Sequence, residues 1–163
     1  MEIKIRSTPQ SEIRSKQSGD WWYSDNSIRV NVLDSMPPES QLAVAVHELV
    51  EAYLCRTNGI TDQVVCAFDD QYEKERDEGK HGPAEEPGDD PRSPYLNEHR
   101  AATRVERAVC QALEVSWTEH EENIMNSAHE QPAPELEEDH PKSESLAAPL
   151  QQSLQEPPKH VPD

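Results

Sequence analysis

Between Leu42 and Leu54 the chain reads LAVAVHELVEAYL, a run in which small and apolar residues occupy nearly every position up to Val46. No other segment is so apolar, and a helix apolar on most sides belongs at the centre of a fold. The run is framed by helix signals. Asp34-Ser35-Met36-Pro37-Pro38-Glu39 offers a capping side chain, prolines for a first turn and an acid at the positive end of the dipole. Asn58-Gly59 supplies the stop. Leu42, Val46, Leu49, Val50 and Tyr53 form the expected apolar stripe.

Around this helix the sequence places other elements. Glu2–Arg6 alternates, with Ile3 and Ile5 on one side, as in a short strand. Trp21-Trp22-Tyr23, then Ser24-Asp25-Asn26-Ser27, then Ile28, Val30 and Val32 alternating with polar residues, reads as a hairpin. Thr61-Asp62 can cap a second helix with Val64, Val65, Phe68 and Tyr72 inward. Residues 74–92, KERDEGKHGPAEEPGDDPR, read as an exposed, mobile loop. Ser93-Pro94 starts a third helix whose inner face takes His99, Ala102, Val105, Val109, Ala112 and Leu113, and a short helix is expected from Trp117 to Met125. The predicted fold is α+β, a small antiparallel sheet of three or so strands on three to four helices.

Composition divides the chain. Residues 126–163 hold half of the 14 prolines, many Glu and Gln, and no aromatic residue. Such a stretch cannot bury enough apolar surface to offset ordering entropy, so it reads as a disordered acidic tail after one domain over 1–125. The formal net charge of -18 argues against nucleic-acid or anionic-membrane partners, which need a basic footprint. No apolar N-terminal segment or long apolar run suggests secretion or membrane insertion. Cys55, Cys66 and Cys110 lie in apolar-periodic stretches with no CxxC pair, as buried thiols of a reducing compartment do. The expected location is therefore cytoplasmic.

The chemistry is concentrated in His47-Glu48-Leu49-Val50-Glu51. Residues four apart share a helix face about 6 Å apart along the axis, the spacing at which one helix offers two ligands to one ion. Zinc accepts carboxylate oxygen as it does imidazole nitrogen, so His47 and Glu51 are candidate ligands, and Glu48 between them is a candidate general base. Glu51 is flanked by Val50 and Ala52-Tyr53-Leu54, and a lone carboxylate among apolar neighbours is costly unless paired or metal-bound. The third ligand must come from elsewhere. His99, on the inner face of the third helix, is the first candidate, with Glu106, Glu98 and Asp69 as competitors. Glu106 can instead orient His47. His81 and His120 read as surface residues, His129, His140 and His160 as parts of the tail, and Trp21, Trp22 and Trp117 as core or core-edge.

An alternating strand (Ile28 to Val32), a short acidic loop and then AVAVHELVEAYL resembles the minimal zincin-like metallopeptidases, including those of phage and bacterial regulatory systems. The resemblance covers roughly residues 20 to 118. It implies a zinc ion, peptide-bond hydrolysis with a metal-activated water, and the strand Ile28–Val32 beside a peptide or protein substrate. In this chain the second motif residue is Glu51 rather than His, with His99 supplying the later ligand. Two other readings stand beside it: a catalytically inactive zincin-like binding or regulatory module, with Tyr95 the nearest candidate for an oxyanion stabiliser, and a magnesium-dependent nucleotide hydrolase using Glu48 and Glu51.

Overall fold

A computed structural model describes residues 1–14 and 17–129. The chain runs through β1 (Glu2–Thr8), β2 (Gly19–Ser24), β3 (Ser27–Leu33), α1 (Pro38–Thr57), α2 (Asp62–Asp77), α3 (Leu96–Ala112) and α4 (Trp117–His129), with short 3-10 turns at Gln10–Glu12 and Pro87–Asp89. The α+β class expected from the sequence is what the structure shows: a three-stranded sheet and four α-helices.

The sheet is mixed rather than wholly antiparallel. Strand order is β1-β3-β2, with β2 antiparallel and β1 parallel to β3. The hairpin forms as expected: Asp25 takes a positive φ of 54°, a left-handed conformation that Asp tolerates better than most residues, so two residues reverse the chain. The segment before β2 carries the chain past β3, which then slots between its two predecessors and runs in the direction of β1. This order corrects the resemblance on one point. β3 is paired on both sides, so Ile28–Val32 cannot lie at an edge beside a substrate; β2 and β1 are the edges.

β3 alternates as its period dictates. Ile28, Val30 and Val32 are buried against α1, and with Leu33, Trp21, Val44, Ala45, Ala52 and Cys55 they form the core. Each fully buried Ile or Leu contributes about 1.5–3 kcal/mol by removal from water. Asn31 on the other face is also covered and donates through Nδ2 to the Glu12 carbonyl at 3.2 Å. α1 lies between the sheet and α3. Its proline start and Asn58 stop match the sequence signals, but the expected capping side chain does not form: the N-cap is Pro37, which has none to offer. The Thr61 cap of α2 does form, its side chain accepting from the Val64 amide.

The inner faces of α1 and α3 differ from those the apolar pattern suggests. Leu42 and Tyr53 are about half exposed, while Ser40, Ala43, Val44, His47, Glu51, Ala52 and Cys55 point inward. On α3, Val105 and Leu113 are exposed and the buried line is Glu98, His99, Ala102, Glu106 and Cys110. The cause is the same in both helices: ionisable residues that satisfy one another take the inward positions, so the largest apolar side chains do not mark the buried face. α2 extends to Asp77, into the 74–92 stretch read as loop. Beyond it, His81 stacks on Tyr72 with ring centroids 3.8 Å apart, and Arg92 bridges Glu75 and Asp90. α4 reaches His129, and residues 130–163 of the expected tail lie outside the described residues. No helix among the described residues is long and apolar enough to cross a membrane.

Candidate metal centre

The central turn of α1 presents His47 and Glu51 toward α3, and the first turn of α3 presents His99 toward them. All three side chains are buried. His47 Nε2 lies 3.3 Å from His99 Nδ1 and 3.5 Å from Glu51 Oε2, and His99 Nδ1 lies 2.9 Å from Glu51 Oε2. A tetrahedral ion with bonds of ~2.1 Å holds its ligand atoms ~3.4 Å apart. The triangle of two nitrogens and one oxygen is therefore close to one face of a zinc tetrahedron. The donor chemistry suits zinc, which takes His nitrogen and carboxylate oxygen together.

The atoms pointing away from this triangle meet further side chains. His47 Nδ1 is 2.7 Å from Glu106 Oε2, Trp21 Nε1 donates to Glu51 Oε1 at 2.8 Å, and His99 Nε2 is 3.1 Å from Glu86 Oε2. Carboxylates behind ligating imidazoles fix the ring orientation and raise ligand basicity. His47 and Glu51 thus each have a hydrogen-bond partner on the far side, whereas His99 Nε2 has an ion-pair contact with the exposed Glu86 and no hydrogen bond. Glu86, Asp89 and His99 form a second His/carboxylate group. It shares the His99 ring, which can serve both groups only by losing both ring protons and bridging two cations. With Nδ1 on one cation, Nε2 keeps its proton and faces Glu86.

Electrostatics follow from the packing. Burial works to lower the pKa of His47, but hydrogen bonds with Glu106 and Glu51 prevail and hold it well above the usual range. His99 has the same balance, burial against Glu51 and Glu86, and is pushed up to about 9. Burial works to raise Glu51, yet His47 and His99 bring it down to about 2. Glu106 is likewise lowered, by His120 and His47 against burial. Glu48 stands apart: burial raises its pKa well above the ordinary value, and His47 offsets this only in part. Its carboxylate packs on β2, where a Cβ on Gly19 would fall 2.5 Å from Glu48 Oε1.

Of the residues singled out in the sequence, His47, Glu51 and His99 converge, while Glu48, next to His47 in the chain, packs its carboxylate on Gly19. Glu106 is placed behind His47. Glu98 accepts from Asn58 Nδ2 at 2.6 Å, and Asp69 Oδ1 accepts from the Tyr95 hydroxyl at 2.5 Å, so neither joins the triangle. His120, expected at the surface, has no exposed area: Glu106 on one side and Ser40 on the other satisfy both ring nitrogens, which lets an imidazole stay buried. Cys55 and Cys110 are buried free thiols as expected, and Cys66 is half-buried. Trp21, Gly19, Glu86 and Gly88 carried no sequence signal for this site, because their roles depend on how β2 and the loop before α3 pack on the helices.

No protein-family model matches the chain, and neither the search of curated proteins nor that of solved structures finds a match.

Proposed function

We propose that this chain is a zinc-dependent hydrolase of peptidase type. The observation that carries the reading is the convergence of His47 Nε2, Glu51 Oε2 and His99 Nδ1, with Glu48 next to His47 on the same helix. Two imidazoles and one carboxylate form a common ligand set of catalytic zinc and leave a fourth position open. Zinc held there would supply Lewis acidity and lower the pKa of water to ~7. Glu48 would take the proton of the attacking water; a carboxylate made more basic by burial is better matched to that role near neutral pH than an exposed one. The resemblance to minimal zincin-like metallopeptidases points the same way.

β2 is the edge strand next to the site, since Trp21 touches Glu51 and Gly19 touches Glu48. An extended peptide would add to that edge by main-chain hydrogen bonds. Arg14 Nη2 already donates to the Trp21 carbonyl at 2.5 Å and pairs with Asp20, so a bound peptide would have to displace Arg14 there.

A second reading, a metal-binding module without catalysis, draws support from Tyr95. Its hydroxyl is given to Asp69 and is not offered as an oxyanion donor. Magnesium-dependent nucleotide hydrolysis has less support, because Glu51 faces two imidazoles and magnesium favours oxygen ligands. The test is a peptide library incubated with the zinc-loaded chain and read by mass spectrometry. Cleavage that stops on chelation and in Glu48→Gln supports the hydrolase. Stoichiometric zinc with no cleavage at any site favours the module. Failure to bind zinc removes both.

A further inference from the structure

His120 of α4 is fully buried, an unusual place for an imidazole on the last described helix. Its Nε2 lies 2.9 Å from Glu106 Oε1, and its Nδ1 lies 3.1 Å from Ser40 Oγ, which also receives Asn123 Nδ2 at 3.2 Å. Glu106 Oε2 in turn lies 2.7 Å from His47 Nδ1. A continuous hydrogen-bonded chain thus runs from the candidate metal ligand on α1, through α3, to α4 and back to the start of α1.

A cation on His47 Nε2 gives this chain one polarity. The His47 proton then sits on Nδ1 and is donated to Glu106. Ionised Glu106 only accepts, so His120 must carry its proton on Nε2. His120 Nδ1 faces the Ser40 hydroxyl, whose oxygen accepts from Asn123 Nδ2. Other contacts of α4 among the described residues are Ile124, partly buried against the core, Ser127, which is buried, and Trp117, half-buried with Arg107 over its ring. Undocking α4 would strip Glu106 of one of its two partners and let the carboxylate behind His47 turn away.

We propose that His120 is a positioning residue that couples the docking of α4 to the metal centre. Metal on His47 favours docked α4, and docked α4 favours metal by the same factor, since linkage is reciprocal. The inference rests on the zinc-centre reading and adds a regulatory element to it: a partner that binds docked and undocked α4 with different affinity changes metal affinity from a distance.

The experiment uses the full chain. Zinc affinity is measured against a competing chromophoric chelator, and amide hydrogen exchange over residues 117–129 is followed with and without zinc. His120→Leu keeps the bulk but removes both hydrogen bonds; His120→Gln keeps a donor for Glu106 and an acceptor for Ser40. The wild type should show slower exchange in α4 when zinc is added. His120→Leu should lose that slowing and bind zinc more weakly, by up to about 10-fold, because it acts on His47 only through Glu106 and so falls at the low end of the loss expected when a ligand's own partner is removed. His120→Gln should recover most of both. Wild-type affinity in His120→Leu, or equal losses in Leu and Gln variants, overturns the coupling while leaving the centre intact. A wild-type chain that takes up no zinc overturns the centre and the coupling together.

Discussion

Gly88 lies directly against the imidazole of His99: a Cβ added at Gly88 would fall 2.3 Å from His99 Cγ and 2.4 Å from Nδ1. The contact is with the base of a buried ring and not with the tip of a flexible side chain, so little room is left for either partner to move. Gly88→Ala should therefore tilt His99 away from Glu51. Expected outcomes are a stability loss of about 1–3 kcal/mol from overpacking and zinc affinity reduced at least 10-fold. Chemical denaturation with and without zinc separates the two effects.

Glu48 should be separable from metal binding. Glu48→Gln keeps the shape packed on Gly19 but cannot accept a proton, so it should retain one zinc per chain and lose peptide cleavage by about 10²–10⁴-fold. Gly19→Val should act in the same direction, because its side chain would occupy the space of the Glu48 carboxylate. Metal analysis beside a cleavage assay checks both.

Trp21→Phe removes the indole donor to Glu51 Oε1 and leaves most of the apolar ring. A buried carboxylate oxygen then loses its partner, and the orientation of Oε2 loosens. Zinc affinity should fall by about 10–100-fold, measured by competition titration, with unchanged far-ultraviolet circular dichroism.

Asp69, outside the ligand triangle but within the field of Glu51, gives a further pH dependence. Burial raises its carboxyl to about 7, against the hydrogen bonds from Tyr95 and Gln17 that favour ionisation. The unfolded chain releases this proton near pH 4 and the folded chain near 7, so between them the folded state holds more protons. Stability should then fall as pH rises through this window, by up to about 1.4 kcal/mol per pH unit from this group. Asp69→Asn should flatten that contribution. Urea midpoints of both proteins from pH 4 to 8 provide the comparison.

Much of this arrangement was legible in the residues. The prolines at Pro37-Pro38, the stop at Asn58-Gly59 and the Thr61 cap are local chemistry and mark their helices directly. The i, i+4 spacing puts His47 and Glu51 on one face whatever surrounds the helix. His99 could be named because an imidazole at the start of an amphipathic helix needs a partner. The burial of α1 and α3 was harder to read, because Glu51, Glu98, Glu106 and the histidines occupy the inward line while Leu42, Tyr53 and Val105 face out. A hydrophobic stripe finds the wrong face when the interior is a network of paired charges. His120 was misplaced for the same reason: its burial depends on Glu106 and Ser40, 14 and 80 positions away in the chain. The insertion of β3 between β1 and β2, and the approach of Gly88 to His99, are non-local and leave no periodicity behind.

Crystals of the zinc-loaded chain, with anomalous diffraction recorded on both sides of the zinc absorption edge, give the most direct measurement. One strong peak should appear about 2.0–2.2 Å from His47 Nε2, Glu51 Oε2 and His99 Nδ1 alike. No peak at that point, or zinc held by Glu86 and Asp89 with His47 unligated, would contradict the account.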